Sequence, residues 1–484
     1  MSKKALYINC SPSGNNSGSH QIARYAAHFI DAEPTWIGVS DLIPDQSGRF
    51  RQPISKHFID AIATSDLIVW TFGAHVGFVP ALAKLLFDQL LLETDAELFS
   101  GRLAAVVCTS GRLHDDVAIR RVGIVSECLG MYFIGGVSIL GNSGLYYEEE
   151  EISELKARRF ASMVNIALGA DRSPLAAIDP RDRIDMSPLK RRPEDRSSPH
   201  PTHDLITLES PLILTAFDET KDAWGQWWIE MVQSRLANRP ERIDLSNHQI
   251  HPCTACLLCN QFNHGACVIR DKTEELRKVL LQAKTLIVVT PISAMGESYF
   301  LKVFLDRLWV DIHQQGFSGR KVLLVSYGGG RWTETVTRYL ERWMTLMGMR
   351  VIGSICDTGL PRNWTDVLDF ELNMMRCLHP EDQPFEGDFE HEADLAGIHM
   401  LVYRWGHILR NDYRHLILHH HVPWKFRFQI LLRWWLFGSP TRFRRLLKMG
   451  RWAAARRRQK RLDHLSDPEF SPGGARDSRF IFET

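Results

Sequence analysis

The sequence predicts an α/β protein built from two doubly wound parallel sheets in tandem and closed by a basic helical C-terminal tail. Three observations carry this. The chain has 484 residues, about three times a usual domain, so more than one core is expected. It also repeats itself: Gly101-Arg102 ahead of Leu-Ala-Ala-Val-Val returns 218 residues later as Gly319-Arg320 ahead of Lys-Val-Leu-Leu-Val. The same offset takes Gly111 to Gly329, Gly130-Met131 to Gly348-Met349 and Ile134-Gly135 to Ile352-Gly353. Finally, the apolar runs of each copy are continuous rather than alternating, as strands buried on both faces require.

Composition narrows the class. With 44% hydrophobic and 24% charged residues, the chain is too apolar for disorder, and 33 Gly with 22 Pro exclude a collagen-like repeat. No uncharged apolar run is long enough to span a bilayer. Met1-Ser2-Lys3-Lys4 leads straight into Ala5-Leu6-Tyr7-Ile8 without an apolar leader, so a cytoplasmic protein is expected.

In chain order, the strands of the first copy are Ala5–Ile8, Leu67–Trp70, Ala104–Cys108 and Phe133–Ile139, within a domain spanning 1–172. Residues 173–208, rich in Pro, Arg, Asp and Ser, read as a linker. The second domain, 209–412, has strands at Leu212–Leu214, Leu286–Val289, Val322–Val325 and Val351–Ile355. Its closing helix is expected from about Ala396 through Arg410. The remainder, 413–484, is a basic amphipathic extension.

Between the first strand and a helix expected near Gln21 runs Cys10-Ser-Pro-Ser-Gly-Asn-Asn-Ser-Gly-Ser-His20. Hydroxyls, side-chain amides and backbone N–H groups gathered at a helix N-terminus suit a phosphate dianion. The loop is neither a Walker loop nor a Gly-x-Gly-x-x-Gly dinucleotide turn. Its counterpart, Ala216-Phe-Asp-Glu-Thr-Lys-Asp222, carries three acids that would repel phosphate, so the second copy is expected to have lost this part of the site.

Nine cysteines are present, and Cys253, Cys256, Cys259 and Cys267 crowd into one stretch as Cys-x2-Cys-x2-Cys-x7-Cys. Thiolates at this spacing can converge on one centre. Three in one tight turn resemble a ferredoxin run, favouring a 4Fe–4S cluster, with zinc or a dithiol relay as alternatives. Asp271-Lys-Thr-Glu274 reads as the capping box of the next helix. Cys10, Cys108, Cys128, Cys356 and Cys377 are expected to be buried packing residues.

The tail holds the charge asymmetry: residues 401–462 contain sixteen Lys/Arg and a single acid, Asp412, in a chain of 58 basic and 57 acidic residues. Pro423-Trp-Lys-Phe-Arg-Phe-Gln-Ile-Leu-Leu-Arg-Trp-Trp-Leu-Phe437 suits either peripheral contact with the inner membrane face, through residues 413–461, or packing on the acidic body. Trp-Trp-Leu-Phe is too apolar for a helix that tracks phosphates, which disfavours nucleic acid.

Taken together, these residues resemble the flavodoxin-like NADPH-dependent FMN reductases, including the iron–sulfur flavoproteins, over roughly residues 3–170 and 210–360. The resemblance implies two tandem flavodoxin-like domains. It places the FMN phosphate on Ser11, Ser13, Asn15, Ser17 and Ser19, and the isoalloxazine ring between Phe72-Gly73 and Thr109-Ser110-Gly111. Copy one departs from the family in having Phe72-Gly73 where Pro and an aromatic are usual. In copy two the ring loops look like Thr290 through Tyr299 and Tyr327-Gly-Gly-Gly330. Lys84…Asp88 and Lys302…Asp306-Arg307 look like the family's Lys-x-x-x-Asp-Arg helix. The family's iron–sulfur members carry a compact cysteine motif at the place of Cys253–Cys267.

The activity implied is that of an NAD(P)H-dependent FMN oxidoreductase. Electrons would pass from a nicotinamide to FMN and on to an iron–sulfur cluster or an acceptor such as a quinone. No side chain need act as acid or base. The alternative is a non-catalytic electron carrier or scaffold whose tail recruits a membrane or partner. Fusing two copies would mimic the dimer that related flavoproteins form, and a homodimer of the whole chain is compatible with the sequence.

Overall fold

The computed structural model describes residues 2–39, 54–75, 78–94, 96–110, 115–140, 150–170, 205–218, 221–256, 258–261, 266–314, 316–359, 363–377 and 412–414. The first half runs β1 (Lys4–Asn9), α1 (Gly18–Ala27), β2 (Glu33–Gly38), α2 (Lys56–Thr64), β3 (Leu67–Gly73), α3 (Ala81–Glu93), β4 (Leu103–Ser110), α4 (Asp115–Cys128), β5 (Tyr132–Leu140) and α5 (Glu150–Gly169). Its five strands lie in the order β2-β1-β3-β4-β5, all parallel. The continuous apolar runs explain this directly. Alternate residues of one strand enter different cores: Leu6 and Ile8 of β1 face one, Ala5 and Tyr7 the other. Ile68 and Trp70 against Leu67 and Val69 repeat the pattern in β3, and helices cover both faces.

The second half repeats the plan with β6 (Pro211–Thr215), α6 (Ala223–Arg235), β7 (Glu241–Asp244), α7 (Leu258–Gln261), α8 (Thr273–Gln282), β8 (Thr285–Ser293), β9 (Gly296–Glu297), α9 (Tyr299–Arg307), α10 (Trp309–Gln314), β10 (Lys321–Tyr327), α11 (Thr333–Leu346), β11 (Arg350–Asp357) and α12 (Trp364–Cys377). The parallel order β11-β10-β8-β6-β7 is that of the first sheet, with β9 folded back on β8 through Ala294 and Met295 in left-handed conformations. Ile206 and Leu208, which composition places in the linker, are buried against α6.

Several local expectations change. The edge strands β2 and β7 carry no continuous apolar run: no residue of β2 is fully buried, and β7 buries only Ile243 and Asp244. Helix α1 opens at Gly18, earlier than Gln21, because Ser17 caps it. The capping box of α8 does not form. Asp271 accepts from the Thr273 amide at 3.0 Å, while Glu274 reaches back to the Cys267 amide at 2.6 Å and ties the cysteine segment to the helix. Cys10, Cys108 and Cys128 are buried as expected, but Cys356 is only partly buried and Cys377 is exposed.

The halves pack through equivalent elements, α3 on α9. Lys84 bonds Asp88 within α3 and donates across to Ser293 Oγ at 2.9 Å. Its counterpart Lys302 bonds Asp306 within α9 and donates across to the His75 carbonyl at 2.7 Å. Arg121 of α4 lies 3.8 Å over the ring of Tyr339 of α11, the residue 218 positions on. Residues that meet their own repeat equivalents lie near a pseudo-two-fold axis, the geometry of an isologous dimer built into one chain.

Of the basic extension, only residues 413 and 414 are described; the aromatic and arginine stretches, like the Ala396–Arg410 pattern, lie outside the described residues. Tyr413 is buried in the second core, and Asp412 accepts from Asn260 and Gln314. Among the described residues no helix is long and apolar enough to cross a membrane.

Candidate cofactor site

The polar loop after β1 is folded by its own side chains. Asn9 Oδ1 accepts from the Ser11 amide at 3.2 Å, and Ser11 Oγ accepts from the Ser13 amide at 3.3 Å. Gly14, at a φ of +54°, takes the left-handed turn that begins a short 3-10 segment, Gly14–Asn16. Ser17 is extended and accepts from the His20 amide at 3.1 Å, with the Ser19 hydroxyl 3.3 Å from its own. The amides of Gly18 and Ser19, in the first turn of α1, have no intrahelical acceptor and present the positive end of the helix.

The sheet order brings the other loop ends alongside. Gly73 pairs with Thr109 in register, and the Ala74 amide bonds the Thr109 carbonyl at 2.7 Å. The ends of β1, β3 and β4 thus form one continuous rim at their carboxyl side, where such sheets take ligands. Ser11, Ser13, Asn15, Ser17 and Ser19 share that rim with Gly73, Thr109 and Ser110. Gly111 lies outside the described residues. Phe72 is placed differently from expectation: its ring is fully buried in the core with Trp70, which leaves only its backbone at the rim.

Three residues that sequence reasoning did not single out as ligands also stand here. Asn9 Nδ2, His20 Nδ1 and Thr71 Oγ1 are buried and lack a hydrogen-bond partner within the protein. Such atoms are costly to leave unsatisfied, and their gathering marks a place for a polar ligand or water. Burial, then the charge of Arg24, depresses the His20 imidazole to about 4, so the ring is neutral at physiological pH. Its edge packs on Trp36, which in turn stacks on Tyr7 at 4.2 Å.

The equivalent rim of the second half is filled from within. Tyr327 at the end of β10 is fully buried and donates to Asp222, the N-cap of α6, at 2.7 Å. The indoles of Trp224 and Trp228 both donate to the buried carboxylate of Asp357, at 2.7 and 3.1 Å. A Cβ on Gly225 would sit 2.4 Å from both Phe217 Cζ and the Tyr327 hydroxyl. Where the first half offers hydroxyls and free amides, the second has packed rings and carboxylates.

The cysteine segment follows β7 and faces the first half. The Ala255 amide donates to Cys253 Sγ at 3.4 Å; burial alone would raise this thiol, but the charge of His75 and that amide hold it below its ordinary value. Burial raises the Cys259 thiol, reinforced by the charges of Cys253, Cys267 and Cys256, so the four sulfurs share one neighbourhood. Arg307 donates to Asp271 at 2.8 Å and to the carbonyls of His251 and Ile269 beside the cysteine segment. Among the described residues no group of three or more His, Cys, Asp or Glu side chains is arranged to hold a metal ion.

The family described as NADPH-dependent FMN reductase matches residues 3–144 and again residues 221–356, more than half of the chain. The chain belongs to this family. It is an FMN-reductase-like oxidoreductase, and membership carries with it binding of FMN and a nicotinamide nucleotide. It is similar to an iron-sulfur flavoprotein of Archaeoglobus fulgidus, 24% identical over 181 residues, which cover 36% of this chain and 80% of that protein. A second iron-sulfur flavoprotein, from Methanocaldococcus jannaschii, is 28% identical over 117 residues, 23% of this chain and 58% of its own length. Among solved structures, an FMN-dependent NADH-azoreductase from Bacillus anthracis in complex with FMN is 16% identical over 34% of this chain and 100% of its own, with a TM-score of 0.26.

Proposed function

We propose that the chain binds one FMN, in its first half, and passes electrons from NAD(P)H through it to the cysteine segment of the second half or directly to an acceptor such as a quinone. The observation that carries this is the Ser11–Ser19 loop with the orphaned Asn9, His20 and Thr71 atoms around it. Ser13, Ser17 and Ser19 hydroxyls, the Asn15 amide and the first-turn amides of α1 would hold the phosphate. Gly73, Thr109 and Ser110 would border the ring. A bound FMN supplies the redox chemistry, taking two electrons from a nicotinamide and releasing them to an acceptor. The protein's part is to hold, orient and shield it, and neutral His20 adds a hydrogen-bonding nitrogen without a competing charge.

The closed rim of the second half supports a single flavin per chain. Its carboxylates, Asp222 foremost, would repel a phosphate at the one helix N-terminus that could receive it. That half then acts as the flavin half's built-in partner, which favours the carrier or scaffold reading for it alone.

Cys253, Cys256, Cys259 and Cys267 would hold a 4Fe–4S cluster. Zinc draws four sulfurs to within about 3.8 Å of one another, given its short Zn–S bonds. Three thiols in one tight turn, Cys253, Cys256 and Cys259, resemble a ferredoxin run and fit the wider spacing of a polynuclear cluster better.

The test is an absorbance spectrum with flavin, iron and sulfide analysis on protein purified without oxygen and reconstituted with FMN. One flavin per chain is expected, lost in Ser13→Asp, whose carboxylate would oppose the phosphate. No flavin at all would overturn the reading, and two per chain would overturn the closure of the second half.

A further inference from the structure

The backbone that follows Gly73 at the rim is held from two sides, and only one of them belongs to its own half. The Ala74 amide bonds the Thr109 carbonyl of β4, which fixes the inner end. His75 and Phe78 then pair with each other, the His75 amide donating to the Phe78 carbonyl at 2.8 Å and the Phe78 amide returning at 3.2 Å. Beyond them Pro80 stands at the N-cap of α3, with no side-chain oxygen to offer the first-turn amides.

The outer end is fastened by α9 of the second half. Lys302 Nζ donates to the His75 carbonyl at 2.7 Å. Asp306 Oδ2 accepts from the Ala81 amide at 3.2 Å and lies 3.2 Å from His75 Nδ1. A carboxylate at that amide supplies the cap that Pro80 cannot, and it meets the positive end of the helix dipole. Both side chains are buried and ion-paired to each other, so their positions are fixed. The reverse crossing differs. Lys84 of α3 reaches only the Ser293 hydroxyl, a side chain rather than backbone, at 2.9 Å. Helix α9 is capped by its own Ser298, which accepts from the Leu301 amide at 3.3 Å. The half with the polar rim thus takes its outer anchors from the half whose rim is closed.

We propose that Lys302 and Asp306 are positioning residues for a flavin held by the opposite half: they set the backbone at His75 and Ala81, and so the second half completes a cofactor site without binding flavin itself. This rests on the flavin reading above. Displacing that backbone leaves the phosphate grip of the Ser11–Ser19 loop intact but spoils the fit of nicotinamide to flavin, and a misplacement of 1 Å can cost up to about 100-fold in rate.

The test uses the full chain reconstituted with FMN. Flavin stoichiometry comes first: protein that takes up no flavin overturns the flavin reading and this proposal with it. Given one flavin per chain, Lys302→Met is compared with Lys84→Met. Each variant removes one buried ion pair and one crossing, but only the first crossing ends on the flavin half. In stopped-flow reduction by NADPH or NADH, Lys302→Met should slow flavin reduction by about 10–100-fold and shift the visible flavin spectrum, while Lys84→Met stays near wild type. Equal rates in all three proteins, or equal losses in the two variants, would overturn the proposal while leaving the flavin in place. Hydrogen exchange on wild-type protein decides the matter even if a variant fails to fold. What the flavin site gains from α9, α9 must gain from FMN, so FMN should slow exchange across Tyr299–Arg307. Exchange there that ignores FMN would overturn the role of both residues.

Discussion

Ser17 joins local structure to the site in one side chain. Its hydroxyl caps α1 through the His20 amide and sits beside Ser19 at the rim. Ser17→Ala should therefore cost about 1 kcal/mol of stability and weaken FMN retention together, read by urea unfolding and by flavin fluorescence titration. His20 predicts a pH effect. Folded, its ring titrates near 4 rather than 6.5, so on acidification the unfolded chain takes up the proton first. The stability it contributes is whole above about 6.5 and is lost as pH falls toward about 4. Melting temperatures measured across that window should fall less steeply in His20→Gln than in wild type. The serine-rich loop was legible in the sequence because so long a polar run cannot be core. Asn9 and Thr71 were not, since one polar residue at a strand end looks the same whether it meets a ligand or water.

Elements were legible wherever both faces are buried. The strands at the centre of each sheet, and the edge strands Tyr132–Leu140 and Arg350–Asp357, announce themselves by apolar runs, while Glu33–Gly38 and Glu241–Asp244 at the opposite edges carry too few buried apolar residues to do so. Helix α6 shows what the repeat alone could not. It approaches β10 so closely that Gly225 has no room for a methyl group, with Phe217 and Tyr327 both 2.4 Å from where its Cβ would stand. Both rings are core residues. Gly225→Ala should accordingly destabilise the second half by about 1–3 kcal/mol, as overpacking does, seen as a lowered denaturation midpoint. A midpoint equal to wild type would show that the two rings can yield. The acidic loop 216–222 announced a lost phosphate site, but only the packing shows rings and carboxylates filling the place.

At the scale of the molecule, the two halves reproduce a two-fold interface inside one chain. Divergence has turned a self-contact into a complementary one. Position 121 is arginine and its equivalent, 339, is tyrosine, stacked at 3.8 Å. Burial lowers the Arg121 pKa, and its Nε and Nη1 lack hydrogen-bond partners, so the Tyr339 ring and the charge of buried Glu297 offset the cost of taking that charge out of water. A double-mutant cycle on Arg121→Leu and Tyr339→Leu should give a coupling of about 0.5–2 kcal/mol. A coupling of zero would mean the pair is mere packing. The hairpin Ser293–Glu297 belongs to the same interface: a Cβ on Gly296 would press on Phe78 and Lys84 of the other half, at 2.9 and 3.0 Å.

The sequence by itself determined the doubled architecture, the parallel sheets and the polar loop at the head of α1. Each of these is written in local patterns: a fixed offset, a run of apolar residues, a cluster of donors. The tertiary structure alone decided that the second rim is plugged, that Phe72 turns into the core, and that Lys84 and Lys302 each reach across to the other half. Those outcomes depend on pairs far apart in the chain, brought together by how two sheets and their helices pack. No local pattern carries such a distance.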